Sequence, residues 1–414
     1  MPKELRAKAF ARVPAAQWKD WKWQIRQRIT TVERLREVFP EIGEAEADGI
    51  REVLGSFRMA ITPYYASLID IHNPYCPIRL QAIPTPHEME TAAGDRRDPL
   101  EEDRDQIAPG LIHRYPDRAL MLVTDVCNMY CRHCTRRRRV AENDQAITPA
   151  VLDQQIQAIS DRPKIRDVIV SGGDPLTMTD AKLESILKRL RAIKHVEIIR
   201  LGTRSPVVNP FRITPALVKM LRKYHPLYVN THFNHYAETT HEALDACGRL
   251  ADAGIPLGNQ SVLLRRVNDC PHVMKRLVLR LLRARVRPYY IYQCDLSRGI
   301  GHFRTSVGTG IEIIEALRGH TSGLAVPTFV IDCPAGGGKV PLMPDYMISR
   351  SDDRVVLRNF QGKITVYDEP HCHDSICGTD PACSNERYQS ADGPARLLRA
   401  PDLAIEPTFR KLED

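Results

Sequence analysis

Aromatic side chains are scarce in this chain: Trp, Tyr and Phe make up 6% of its 414 residues. Proteins that grip single-stranded nucleic acid rely on aromatic stacking platforms, so the scarcity weighs against that class. Long apolar runs are missing as well; none approaches the ~18 residues of a membrane-spanning helix. The N-terminus, Met1-Pro2-Lys3-Glu4-Leu5-Arg6, lacks the apolar stretch of a secretory leader, so export is not expected. There is no internal repeat and no low-complexity tract. Neither sign of charge dominates: 59 Lys+Arg stand against 51 Asp+Glu, a net +8, with acidic residues interleaved almost throughout. The charged fraction of 27% is that of an ordinary folded chain. The length allows a sizeable core and up to roughly three domains.

What the chain does have is cysteine, eleven of them. Without export, a disulfide framework is not expected. In a reducing cytoplasm these residues read as metal ligands, redox groups or core packing.

The chain divides into three regions. Residues 1–110 read as helical. Trp18, Trp21 and Ile25 follow helical spacing, and Glu33–Val38 and Ala45–Leu54 suggest further helices. Within this region Thr91–Ala108 is polar and acidic and reads as a linker or wrapping loop. Residues 111–340 alternate short apolar runs with helical periodicity. The runs are Leu120–Val126, Asp167–Val170, Val196–Leu201, Leu227–Thr231, Leu257–Leu264, Pro288–Gln293 and Val326–Ile331. Thr148-Pro149, Thr214-Pro215 and Thr179-Asp180 supply helix-start signals between them. Alternation of this kind predicts an α/β fold with a parallel sheet, either doubly wound or a full or partial barrel. In both, functional residues lie after the C-terminal ends of the strands. Residues 341–414 form a C-terminal region. There Val355–Asn359 and Lys363–Tyr367, separated by Gln361-Gly362, suggest a hairpin ahead of a Cys/His-rich segment.

The most informative motif is Cys127-x3-Cys131-x2-Cys134, directly after the first predicted strand. Three thiolates on one loop can hold three irons of a cubane and leave the fourth open to a ligand. A zinc site completed by His133 is the plainer alternative. Arg136-Arg137-Arg138-Arg139 follows at once. A second motif is Asp332-Cys333-Pro334-Ala335-Gly336-Gly337-Gly338-Lys339. It fails the phosphate-loop pattern, because Cys333 stands at the first glycine position and Val340 follows the lysine. A lysine on a mobile glycine loop suits either a Schiff-base role toward an aldehyde cofactor or a plain solvated position on a flexible loop, and the motif alone does not choose between them.

CxxxCxxC after the first strand resembles the signature of radical S-adenosylmethionine enzymes. Ser171-Gly172-Gly173-Asp174, after the second strand, resembles that superfamily's cofactor turn. With His232, Gln260 and the glycine-loop lysine, the chain from Trp18 to about Glu369 resembles the lysine 2,3-aminomutase family. The resemblance implies a partial (β/α)6-type barrel, and an isomerase that moves the α-amino group of L-lysine to the β-carbon. It implies a [4Fe-4S] cluster on Cys127, Cys131 and Cys134, which would cleave S-adenosylmethionine to a 5′-deoxyadenosyl radical. Ser171, Gly172, Gly173, Asp174, His232 and Gln260 would lie on the S-adenosylmethionine side. Pyridoxal 5′-phosphate would sit on Lys339, with Arg114, Tyr115 and Arg118 at its phosphate and ring. Arg136 would hold the substrate carboxylate, a role that suits a bidentate guanidinium. Asp295 and Asp332 would hold the side-chain ammonium, because two buried carboxylates call for a cation between them.

The resemblance also implies zinc on a cysteine like Cys270, completed here by Cys372, Cys377 and Cys383. Their spacing departs from the family's C-x-C-x-x-C, and His371 and His373 are further candidates. The remaining expectations are a small amino-acid substrate, an electron donor such as a flavodoxin or ferredoxin, and a dimer or tetramer of identical chains. No nucleic acid and no membrane are expected as partners. Two other readings stay open: the same chemistry on arginine, which two carboxylates would also accept, and a metal-stabilised nucleic-acid-binding protein using the Arg136–Arg139 run.

Overall fold

The seven apolar runs become seven parallel strands. The computed structural model describes residues 6–140, 147–334 and 336–370. They fall into two compact units, divided between Pro344 and Asp345. In the first unit, β1 (Gln106–Ala108), β2 (Leu111–Tyr115) and β3 (Arg118–Leu122) form an antiparallel edge. From β3 onward the pairing is parallel: β4 (Asp167–Ser171), β5 (Ile198–Gly202), β6 (Leu227–Thr231), β7 (Leu257–Leu263), β8 (Val286–Gln293) and β9 (Thr328–Cys333). The strand β10 (Gly338–Leu342) folds back antiparallel on β9. Strand order follows chain order from β1 to β10, and among the described residues no pairing joins the two edges. The sheet is therefore the open wall of a partial barrel.

Six helices make the crossovers between the parallel strands: Pro149–Ser160, Asp180–Ala192, Pro215–Leu221, His241–Asp252, Pro271–Arg283 and Val307–Leu317. The expected caps form. The hydroxyls of Thr148, Thr179 and Thr214 accept from the backbone N–H of Val151, Lys182 and Leu217, satisfying donors that a helix start leaves open. The helix Pro271–Arg283 turns Met274, Leu277, Val278 and Leu281 inward. The strands alternate as sheet geometry requires, so that Val168 and Val170 on β4 and Ile199 and Leu201 on β5 are buried.

The N-terminal helices share this core rather than forming one of their own; Trp18, Leu35 and Ile50 belong to the same apolar cluster as Val170 and Leu201. The spacing of Trp18, Trp21 and Ile25 predicts one helix, but the chain turns after Trp18. Asp20 starts a second helix, Trp21–Arg26, by accepting from the Lys22 N–H. A side chain that caps outcompetes the periodicity here. Trp18 and Trp23 are buried as a result, while Trp21 lies under the Arg212 guanidinium, 4.4 Å from the ring centre.

The second unit holds three antiparallel strands, β11 (Met347–Arg350), β12 (Arg354–Arg358) and β13 (Ile364–Asp368). The last two are the expected hairpin, and Gly362 sits in its turn at φ +79°. Among the described residues no helix is long and apolar enough to cross a membrane.

Candidate active site

A cavity of about 520 Å³ opens at the C-terminal ends of the strands. Cys127, Cys131, Cys134, Arg114, Tyr115, Arg118, Arg136, Ser171, Gly172, Gly173, Asp174, His232, Gln260, Asp295, Asp332 and Lys339 all line it. They come from the ends of most strands of the sheet, which is why they are scattered in sequence and adjacent in space.

The three cysteines lie on the loop after β3. Burial pushes the Cys127 thiol well above its ordinary value, and the Cys134 thiol to about 11. Buried thiols in this state hold thiolate charge only when a cation joins them, which a soft metal cluster would supply. Cys131 already has one donor: Arg204 Nη1 donates to its Sγ at 2.7 Å. Arg204 follows β5 and is fully engaged, donating also to Gln81 at 2.6 Å and Glu238 at 2.7 Å.

The glycine pair is a matter of backbone approach. Gly172 has φ +131°, and a Cβ there would run into the Thr124 carbonyl oxygen; one on Gly173 would run into that of Val126. The Gly173 N–H donates to Thr124 O at 2.5 Å and the Asp174 N–H to Val126 O at 2.8 Å, so the turn after β4 lies directly against the start of the cysteine loop. Asp174 serves that turn. Its carboxylate accepts from Thr203 Oγ1 at 2.6 Å, Ser205 Oγ at 2.9 Å and the Leu176 N–H at 3.0 Å, so it is occupied by protein donors. His232 differs. Burial pushes its pKa down to about 3, so it is neutral, and its Nε2 is buried without a hydrogen-bond partner. A buried orphan facing the cavity fits a bound polar ligand. Gln260 Nε2 donates to the Tyr292 hydroxyl at 3.0 Å.

At the β9–β10 edge, Lys339 stands directly across from Asp332 in the antiparallel register. Lys339 Nζ donates to Asp332 Oδ1 at 3.0 Å, and the Lys339 N–H donates to the Tyr115 hydroxyl at 3.0 Å. The Nζ lies 5.4 Å from the centre of the Tyr292 ring and 5.9 Å from that of Tyr115. An amine between two aromatic rings, on a cavity that Arg114 and Arg118 also line, is a donor set that would suit an aldehyde cofactor with an anionic group. Arg118 covers the Tyr115 ring at 4.0 Å, and Arg114 Nε pairs with Asp105 at 2.7 Å. Asp295, after β8, accepts from the Thr135 hydroxyl. Burial, with Asp332 nearby, raises its pKa to about 6 against the partial relief from Thr135, Lys339 and Arg136.

The arginine run is not an open basic surface. Arg136 pairs with Glu102, Arg137 with Glu88, Arg138 with Asp98 and Asp103, and Arg139 lies 3.8 Å from Asp125. The acidic Thr91–Ala108 stretch thus supplies the partners of Arg136 and Arg138, while Arg137 and Arg139 face Glu88 and Asp125 outside it. Sequence reading misses Glu102 and Glu88 for this reason: their meaning depends on a partner far along the chain. The one available signal was complementarity, an acidic Glu101-Glu102-Asp103 against a basic Arg136–Arg139. Glu88 is fully buried between Arg132 and Arg137 and ties the cysteine loop to the N-terminal region.

Cys270 does not line the cavity. Its Sγ is 3.8 Å from His272 Nδ1. Among the described residues no three Cys, His, Asp or Glu side chains converge as metal ligands, either here or on the loop of Cys127, Cys131 and Cys134, whose three thiols share one loop and one cavity without being drawn together. Cys372, Cys377 and Cys383 lie outside the described residues.

A cysteine triplet, a glycine turn against it and a cavity at the strand ends define the radical S-adenosylmethionine class. Residues 121–277 match the model of the radical SAM superfamily, whose members use an iron–sulfur cluster with S-adenosylmethionine. Residues 314–409 match the model for lysine-2,3-aminomutase. The chain is 57% identical to the L-lysine 2,3-aminomutase of Acetoanaerobium sticklandii over 97% of each chain. It is 56% identical to that of Clostridium subterminale over 97% of this chain and 96% of the other. A glutamate 2,3-aminomutase of Clostridioides difficile is 48% identical over 85% of this chain and 83% of its own length. The chain belongs to the lysine 2,3-aminomutase family.

Proposed function

We propose that this chain interconverts L-lysine and β-lysine by moving the α-amino group to the β-carbon, with pyridoxal 5′-phosphate at Lys339. The observation that carries the choice of lysine is the pair Asp295 and Asp332, two carboxylates lining one cavity. Among the described residues Asp332 is ion-paired with Lys339, while Asp295 has no ion pair and is eased only by the Thr135 hydroxyl and the charges of Lys339 and Arg136. Once the Lys339 amine is engaged elsewhere, both carboxylates want a cation, and an ammonium side chain supplies it. An acidic side chain would add a third negative charge there and be rejected.

When bound, the cluster with S-adenosylmethionine supplies one-electron chemistry, and pyridoxal supplies the π-system through which an amino group migrates. The protein's own contribution is position. Cys127, Cys131 and Cys134 would hold the cluster, and His232 Nε2 would offer its lone polar atom on the S-adenosylmethionine side. Arg114, Tyr115 and Arg118 would seat the phosphate and ring, and Arg136 the substrate carboxylate. Anchoring both ends of lysine leaves the carbons between them little freedom, which keeps a reactive centre on one path. A zinc ion on Cys270, an iron–sulfur or flavin electron donor, assembly with identical chains and a cytoplasmic setting complete the reading.

Anaerobic incubation of the cofactor-loaded protein with lysine, arginine and glutamate, side by side under reducing conditions, tests this. β-Lysine as the principal product supports it; preference for arginine or glutamate overturns the role of the aspartate pair.

A further inference from the structure

The basic run's first member is held in an informative way. Arg136 offers five N–H donors in a planar fork, with two usable edges. Glu102 takes the side edge, accepting from Nε at 2.9 and 3.0 Å and from Nη2 at 2.6 Å. Among the described residues nothing pairs with Nη1, which leaves the end edge for an anion in the cavity that both residues line. Glu102 is itself nearly inaccessible, with 8% of its side chain exposed. Burial opposes its ionisation, yet Arg136 holds its carboxyl below the usual range. A buried carboxylate kept charged on one edge of a fork restricts the fork to one orientation.

We propose that Glu102 is a positioning residue for the substrate's α-carboxylate: it clamps Arg136 by its Nε–Nη2 edge so that the opposite edge meets the amino acid. The inference rests on Arg136 being the carboxylate ligand. A rival use of the same contact is a plug, in which Glu102 occupies the fork and must leave before substrate binds. The clamp is favoured because Glu102 engages only Nε and Nη2 and leaves Nη1 unpaired among the described residues, whereas a plug would be expected to take the end edge as well.

Glu102→Gln keeps the size and removes the charge. Calorimetric titration of the cofactor-loaded protein with L-lysine and with L-lysinamide, which lacks the carboxylate, separates the possibilities. The clamp predicts that lysine binds about tenfold more weakly to the variant, while lysinamide affinity stays within about twofold of the parent. Glu102→Asp should recover part of the loss. Asp103→Asn, which removes an exposed partner of Arg138, is the control and should change neither ligand. Unchanged or tighter lysine binding by Glu102→Gln overturns the clamp, tighter binding being the mark of a plug. Equal loss of both ligands also overturns it, by showing general damage. If the parent ignores lysine, the functional reading fails separately, and the amino acid that the parent does bind, with its amide, reads the clamp in the same way.

Discussion

Replacing Asp295 by asparagine should make the substrate-free protein more stable and the enzyme worse. Asp295 titrates near 6 instead of 3.8 because burial and Asp332 outweigh the help of Thr135, Lys339 and Arg136. A carboxyl whose folded pKa is raised binds its proton more tightly in the folded chain. Stability therefore falls as pH rises from about 4 to about 6, and the full cost is present above that. A rise of roughly two units corresponds to ~3 kcal/mol. Asparagine carries no such cost and can still accept the Thr135 hydroxyl. Unfolding of the cofactor-loaded, substrate-free protein should thus show Asp295→Asn stabilised by up to about 3 kcal/mol at pH 8, with the gain shrinking toward pH 5. Lysine KM should rise about a hundredfold in the same variant, since a cation loses a desolvated partner. A variant that is no more stable at pH 8 than at pH 5, relative to the parent, would falsify the claim that this carboxylate is held at a cost for a cation.

In the parent, lysine KM should climb as pH drops below about 6, where Asp295 takes up its proton; a flat KM between pH 5 and 7 counts against its role. Glu88→Gln leaves Arg132 and Arg137 buried without their anion, and should lower stability by about 3–5 kcal/mol and impair cluster assembly, read by denaturant unfolding and iron content. Gly173→Ala drives a methyl into the Val126 carbonyl, so the reconstituted protein should lose its brown colour; full iron content would show the turn to be slack. Lys339→Ala should abolish covalent pyridoxal absorbance, and retention of that band would place the attachment elsewhere.

The strands were legible because each carries its own apolar run, and the helices because threonine caps announce them. The cysteine triplet, the glycine turn and Lys339 were legible for a similar reason: each is a short local pattern whose chemistry is set by spacing. What pairs across the chain was not. Glu102 and Glu88 look like ordinary surface charge until the fold buries them against Arg136 and Arg137. Asp174 was legible in part. It lines the cavity as its place after the glycines suggested, but its carboxylate also joins the turns after β4 and β5, a task its local pattern does not announce. The Trp18–Ile25 spacing failed at Asp20, where one capping carboxylate redirected the chain.

The most direct test of the central claim is product identification from the anaerobically reconstituted, reduced protein given lysine with S-adenosylmethionine and pyridoxal phosphate. β-Lysine should form only when both cofactors are present and should be lost in Cys131→Ala. Absence of β-lysine from the fully loaded, reduced protein would contradict that claim.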